Sequence, residues 1–271
     1  EKNLNGRDIT ALIDAAEMTA PEKIVAMKVL INLNTAACFC QPTLHSWILL
    51  KMTNLSLRYG HVPESSVGYA GYGKVLAEQG NGRTGYAFGL LGLELSEKFG
   101  YLSYRCQVCF FIGAFLNHWV KHIKWAESVS MEGYKSGSES GDHDTGYILA
   151  FNKSVNALFQ GKNLGRMLAD LKNFSQLTGL TKNQLAHDII SCCEIIVSDF
   201  IGITPQWADS DAIGFEIDES LKETNESFQR SAYLSACHSH KSFTALCFYH
   251  IFRAQILYLY GNSARAYKHI D

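Results

Sequence analysis

The sequence lacks the charge surplus and the long apolar run that mark several protein classes. Of its 271 residues, 47% are hydrophobic and 18% are charged, a balance typical of a folded chain. Lysine and arginine number 24 against 26 aspartates and glutamates, so the net charge is −2. Without excess positive charge, we expect neither a nucleic acid nor a membrane surface as a partner.

No apolar run approaches the roughly 20 residues that a membrane-spanning helix needs. The most apolar stretch, 108–116, predicts a buried helix segment. The eight cysteines do not indicate a disulfide scaffold, because a chain this long can bury a core and no signal peptide precedes it. The chain starts at Glu1 and its last residues, 263–270, resemble the start of a helix. We therefore expect a cytoplasmic fragment of a longer protein.

Proline is scarce, and strand-like alternation of apolar and polar residues is missing. Pro21, Pro42 and Pro63 lie about 20 residues apart, where the starts and stops of helices would fall. The sequence therefore predicts an all-α fold built from helical hairpins.

Glycines that follow apolar-periodic runs give an internal repeat with a period near 40 residues. Each is placed as a left-handed helix cap would be. The main set is Gly60, Gly100, Gly141 and Gly179. A second joint splits each period into two helices, which predicts joints near 41, 60, 80, 100, 124, 141, 161, 179 and 261. Because a single pair cannot bury its apolar face, five to six antiparallel pairs are expected to stack into a solenoid.

The second repeat resembles the tetratricopeptide (TPR) pattern of aromatic and leucine anchors, a contact glycine and a turn glycine. The residues that carry the resemblance are Tyr69, Tyr72, Gly73, Leu76 and Gly80, followed by Gly85, Gly89 and Gly92. The last three share one helix face, where they predict the close approach of another helix.

Over most of its length the chain also resembles the TPR-like region of large bacterial signalling proteins, which lies between an AAA or STAND-type ATPase module and a sensor or output module. The motifs that carry this resemblance are Pro63-Glu64-Ser65, Tyr69-Ala70-Gly71-Tyr72-Gly73, Leu95 to Phe99, His118-Trp119, Gly133-Tyr134, Gly137, Gly141-Asp142, Phe159, Gly161, and Phe248-Tyr249-His250 through Leu259-Tyr260-Gly261. The resemblance implies a regulatory scaffold without catalytic residues, cofactor or metal.

Three segments are expected along the chain. Residues 1–201 would hold four helix pairs and a following helix, and residues 241–271 would hold a last, truncated pair. Between them, residues 202–240 pass through Pro205 and an acidic stretch and predict an irregular connection.

Two chemical alternatives compete with the scaffold interpretation. Gly80, Gly82 and Gly85 match a dinucleotide-binding fingerprint, but that motif needs a preceding strand and the pattern here is helical. A helical metal-dependent enzyme would use His118 with His122, at a spacing of four on one helix, or His238 with His240. Elemental analysis would separate a metalloenzyme from a scaffold.

Projecting the TPR register onto neighbouring repeats predicts a concave groove lined by the first helix of each pair. The predicted groove residues are Lys74, Glu78, Phe115, His118, Trp119, Lys153 and Asn156. Aromatic rings beside charged groups suit apolar anchoring combined with charge-assisted hydrogen bonds. The expected occupant is a protein or peptide segment, another domain of the same polypeptide, or a small effector.

Overall fold

A computed structural model of the chain describes Leu4 and residues 6–180, 183–201 and 226–270. Most of these residues are helical, and they form no strand, apart from a single backbone bridge between Glu17 and His61. The predicted all-α class is therefore confirmed. None of the described helices is long and apolar enough to cross a lipid bilayer.

A short 3-10 turn, Thr10–Asp14, precedes the first long helix. The helices are α1 (Pro21–Cys40), α2 (Pro42–Tyr59), α3 (Ser65–Glu78), α4 (Gly82–Phe99), α5 (Leu102–Phe111), α6 (Lys124–Ser140), α7 (His143–Phe159), α8 (Leu164–Leu180), α9 (Gln184–Ile201), α10 (Glu226–His240), α11 (Phe243–Leu259) and α12 (Ser263–Tyr267). Pro21 and Pro42 each start a helix, where the missing N–H costs no hydrogen bond.

Most of the predicted joints coincide with glycines in the left-handed region of φ. They are Gly60, Gly80, Gly100, Gly141, Gly161 and Gly261. A left-handed residue ends a helix and lets the next one start within a few residues, which produces the hairpins. The joint predicted near 179 is confirmed, since α8 ends at Leu180 and α9 begins at Gln184, but Gly179 itself lies within α8 and does not cap it.

The chain divides into two compact units, residues 1–156 and 157–271. In the first unit, α3 is the central helix, since it packs against α2, α4 and α5. Its residues from Ser65 to Ala70 are all buried. The core around it includes Met27, Leu49, Met52, Val67, Ile112 and Leu116. In the second unit, α9 packs against α8, α10 and α11.

The glycine face predicted on α4 is a region of close helix contact. A Cβ added at Gly85 would lie 2.4 Å from the carbonyl oxygen of Gly73 on α3, and one at Gly92 would lie 2.5 Å from that of Ser66. A Cβ at Gly89 would instead meet the Leu116 side chain at 2.7 Å. The predicted close approach is confirmed, and it involves both α3 and the segment that follows α5.

Two other predictions need correction. The joints predicted near 100 and 124 imply one helix over 101–122. Regular α-helix instead ends at Phe111 and is followed by a π-helical turn, Ile112–Leu116, and a 3-10 turn, Asn117–Trp119. Of the predicted irregular connection, residues 202–225 lie outside the described residues, while 226–240 form α10. Apolar positions at helical spacing explain this helix, and Cys237 among them is buried.

Candidate functional site

The first part of the site lies on α3, at the end of its buried stretch. Lys74 and Glu78 are four residues apart, so they share one face of α3, and Lys74 Nζ lies 2.6 Å from Glu78 Oε1. Lys74 Nζ also lies 5.3 Å from the centroid of the Phe115 ring, at cation–π distance. The structure thus brings together the first three predicted groove residues.

Lys74 is largely covered, with 14% of its side chain exposed, whereas 53% of Glu78 is exposed. The aliphatic stem of Lys74 is therefore packed, and its ammonium group lies beside the Glu78 carboxylate. When a ligand binds, the ammonium group of Lys74 can exchange its contact with Glu78 for a contact with a group on the ligand.

Two titratable residues that sequence reasoning missed lie close to Lys74. His45, near the start of α2, is buried and stacks on Phe111, with ring centroids 6.4 Å apart. Burial, together with the positive charge of Lys74, lowers the pKa of His45 to about 4. Burial raises the pKa of Cys38 on α1, and the Lys74 charge opposes this shift. At neutral pH both groups are uncharged beside the Lys74–Glu78 pair.

The signal for His45 was present in the sequence. His45, Ile48, Leu49 and Met52 recur at the spacing of one helix face, and all four are buried. A histidine among three apolar residues on such a face indicates a buried imidazole.

The second part of the site is the segment in which α5 unwinds before α6. Within the π-helical turn, a Cβ at Gly113 would lie 3.0 Å from Ser130 Oγ, so α6 approaches the turn closely. π-helical turns within helices are frequent at functional sites. The unwinding turns the following residues outward and exposes His118 and Trp119.

We call His118, Trp119, Lys121, Lys124 and Trp125 the helix-break surface. Trp119 lies against the start of α4, because a Cβ at Gly82 would be 2.7 Å from Trp119 Cβ. The His118 and Trp119 rings are 5.2 Å apart. Both tryptophans remain about half exposed, at 53% and 54%.

The lysines of the helix-break surface contact aromatic rings. Lys121 Nζ lies 5.4 Å from the Tyr86 ring centroid and 5.7 Å from that of Trp125. Lys124 Nζ lies 5.8 Å from the Trp125 centroid. The sequence prediction missed Lys121, Lys124 and Trp125. It expected one helix over 101–122 and projected only the groove positions from that helix.

The last two predicted groove residues, Lys153 and Asn156, lie on α7 and are half-buried. They belong to a different element from the α3 pair and from the helix-break surface. The predicted groove set is therefore distributed over three places in the first unit.

The histidine pairs proposed as metal ligands do not have the expected geometry. His118 lies in the 3-10 turn and His122 in the connection to α6, so they do not share a helix face. Instead, His122 Nδ1 accepts a hydrogen bond from the backbone N–H of Lys124. His238 and His240 lie in the last turn of α10, two residues apart, and residues at that spacing do not face each other. Within the described ranges, no three His, Cys, Asp or Glu residues are grouped to hold a metal.

The second unit contains a buried polar network that the sequence did not reveal. Asp199 on α9 is fully buried and pairs with Arg230 of α10 and Arg253 of α11. Asp188, also on α9, accepts a hydrogen bond from Ser242 and lies 3.1 Å from His240 Nδ1. These contacts tie three helices together and are internal, which indicates a role in the fold.

The exposed lysines and tryptophans of the first unit offer positive charge and aromatic surface for recognition, and the histidine pairs are not arranged as metal ligands. No family model matches the chain, and no similar curated protein or solved structure was found. Function is therefore inferred from the side chains of this chain and their packing.

Proposed function

We propose that the chain is a TPR-like α-solenoid with a period near 40 residues that serves as a non-catalytic interaction scaffold. It would be part of a larger bacterial, cytoplasmic signal-transduction protein that carries an AAA or STAND-type ATPase module. In this proposal, its concave groove binds a protein segment, another domain of the same polypeptide, or a small effector.

The helical hairpins support the solenoid part of the proposal. α1 packs on α2, α3 on α4, α5 on α6, and α8 on α9, so consecutive helices are spatial neighbours. Left-handed glycines separate several of them at the predicted period. The contact between Gly73 and Gly85 corresponds to the glycine contact expected where the two helices of a TPR pair meet.

The observation that carries the binding function is the Lys74–Glu78 ion pair beside the ring of Phe115. Covering a lysine costs solvation free energy unless its charge is paired. Lys74 is paired with Glu78, which is 53% exposed, so the pair is open to a charged group of a partner. Aromatic and charged groups fixed before binding lose little conformational entropy when a partner docks.

A double Lys74→Met, Lys153→Met variant of the full-length polypeptide tests the proposal. Methionine keeps an apolar stem of similar length and removes the charge, so the fold should be retained. We expect quantitative affinity purification with mass spectrometry to show loss of a specific bound protein, domain or effector. Lys28→Met with Lys51→Met, which removes two exposed lysines of α1 and α2, is the matched control. If both doubles retain the same bound molecules, the groove is not the binding site.

A further inference from the structure

We propose that the helix-break surface binds an acidic peptide segment with an aromatic or aliphatic anchor residue. This inference rests on the proposed scaffold function and specifies the chemistry of one partner. It differs from the groove prediction in that Lys121, Lys124 and Trp125 contribute.

Local charge provides the first support. The chain carries a net charge of −2, yet no aspartate or glutamate occurs from Lys98 to Ala126. Two cations of that stretch are used within the fold. Lys98 donates a hydrogen bond to the carbonyl oxygen of Ile13, and Arg105 pairs with Glu97 and Glu132.

Lys121 and Lys124 differ from those two cations. In the part of the chain that the structure describes, their ammonium groups contact the rings of Tyr86 and Trp125, and neither forms an ion pair with a carboxylate. In a cation–π contact the ammonium group lies over the face of the ring and forms no hydrogen bond to a carboxylate. Its N–H groups can therefore donate to a carboxylate of a partner. A partner with acidic side chains would therefore complement the charge of the helix-break surface.

The tryptophans provide the second support. Trp119 is held against Gly82 at the start of α4, and two lysines lie over Trp125. Trp119 is therefore oriented before binding, and about half of each tryptophan side chain remains exposed. Tryptophan is enriched among the residues that contribute most of the binding energy at protein interfaces. The two tryptophans would pack an apolar anchor while the lysines bind flanking carboxylates.

The same features favour a peptide over an anionic membrane. Electrostatic membrane binding usually needs a cluster of 4–8 lysines and arginines, and the helix-break surface has Lys121 and Lys124. Trp119 packs against α4, and Lys121 and Lys124 lie over the Trp125 ring, whereas insertion into lipid needs rings that project from the protein.

Fluorescence anisotropy with a defined probe tests this inference. The probe is a short fluorescein-labelled peptide of alternating glutamate and phenylalanine, titrated with the intact chain at low and at physiological salt. We expect saturable binding that weakens with salt, and no binding of the peptide in which lysine replaces glutamate. The Lys121→Gln, Lys124→Gln double variant should weaken binding roughly 3- to 30-fold, as expected for two exposed ion pairs. Trp119→Ala should weaken it about 30-fold or more, as expected for an interface hot spot.

Lys28→Gln with Lys51→Gln is the control. It lowers the net charge by the same amount as the Lys121, Lys124 variant, but on α1 and α2, and should leave the affinity for the peptide unchanged. Equal losses in both double variants would overturn the inference, because binding would then reflect net charge. Tighter binding of phosphatidylserine vesicles or of oligothymidine than of the acidic peptide would also overturn it. If the peptide fails to bind but Lys74→Met with Lys153→Met abolishes a native interaction, the scaffold proposal stands and this inference fails.

Discussion

Gly85 shows how one residue without a side chain determines the packing of a helix pair. Its Cβ position lies 2.4 Å from the carbonyl oxygen of Gly73, and the Cβ position of Gly73 lies 2.4 Å from the carbonyl oxygen of Gly85. Both obstacles are backbone atoms, so a methyl group fits only if α3 and α4 separate. Separation would open the core around α3 to solvent.

Gly85→Ala should therefore destabilise the protein, although alanine gains about 1 kcal/mol of helix propensity. Overpacking of about 1 to 3 kcal/mol should exceed that gain. Gly165→Ala is the matched control, because there the added Cβ meets only the Asn163 side chain at 3.4 Å. It should leave stability unchanged or raise it slightly. Urea unfolding compares the two variants, and a Gly85→Ala protein more stable than wild type would contradict the contact.

Buried His45 predicts a pH dependence of stability. Burial holds its pKa in the folded protein at about 4, against 6.5 for an ordinary histidine. Between these values the unfolded chain binds a proton that the folded protein does not. Stability from this residue is therefore complete above pH 6.5 and is lost as pH falls towards 4.

His45→Phe removes this titration while keeping a ring that can stack on Phe111. We expect urea unfolding at a series of pH values to show a shallower decline between pH 6.5 and 4 in the variant than in wild type. His61 is also buried with a pKa lowered to about 4, so part of the decline should remain. Identical slopes for the two proteins would show that His45 is accessible to protons in the fold.

At this scale the sequence predicted which residues share a helix face, such as Lys74 with Glu78 and the glycines of α4. It did not predict that Phe111 would stack on His45, because that contact joins residues of α2 and α5 that no local pattern links. The repeat offset predicted only that Lys74 and Phe115 are equivalent positions of neighbouring repeats, and the structure places the two at cation–π distance.

At the scale of elements, the break after α5 is the main difference from the sequence prediction. Apolar residues continue past Phe111, so the hydrophobic pattern gives no sign of an end. The end is set by tertiary packing, since Gly113 faces Ser130 of α6 and Leu116 lies against Gly89 of α4. Such contacts between separate elements override local helix preference.

The ion-pair network of α9, α10 and α11 gives the prediction at this scale. Asp199→Asn would leave Arg230 and Arg253 buried against a neutral group, and losing one partner of a buried network costs about 3 to 5 kcal/mol. Glu194→Gln on the same helix is the control, because Glu194 is only half-buried and should cost little. Urea unfolding followed by circular dichroism measures both changes. A loss for Asp199→Asn no larger than the control's would show that the network does not hold these helices.

A second variant separates lost pairing from lost packing at the same position. Asp199→Leu with Arg253→Met should be more stable than Asp199→Asn, because the apolar pair leaves fewer buried charges without a partner. The opposite order would indicate that Asp199 matters through contacts other than its arginine pairs.

At the scale of the whole molecule, helix boundaries were largely predictable, whereas the grouping of helices was not. Most joints depend on local chemistry, as at Gly60 and Gly100, where a left-handed residue ends a helix. The division into units 1–156 and 157–271 falls within α7 and follows from which helices share a core. That division depends on contacts between residues far apart in the sequence, and no local pattern of residue types predicts such contacts.

The proposed function depends on a partner binding at the Lys74–Glu78 pair. Photo-crosslinking in the full-length polypeptide tests it most directly, with p-benzoylphenylalanine placed at the half-exposed Glu78 position or, as control, at exposed Lys135 on α6. The account predicts that position 78 crosslinks to one defined peptide segment, identified by mass spectrometry, and that position 135 does not. Equal, scattered crosslinking from both positions, or none from position 78, would contradict it.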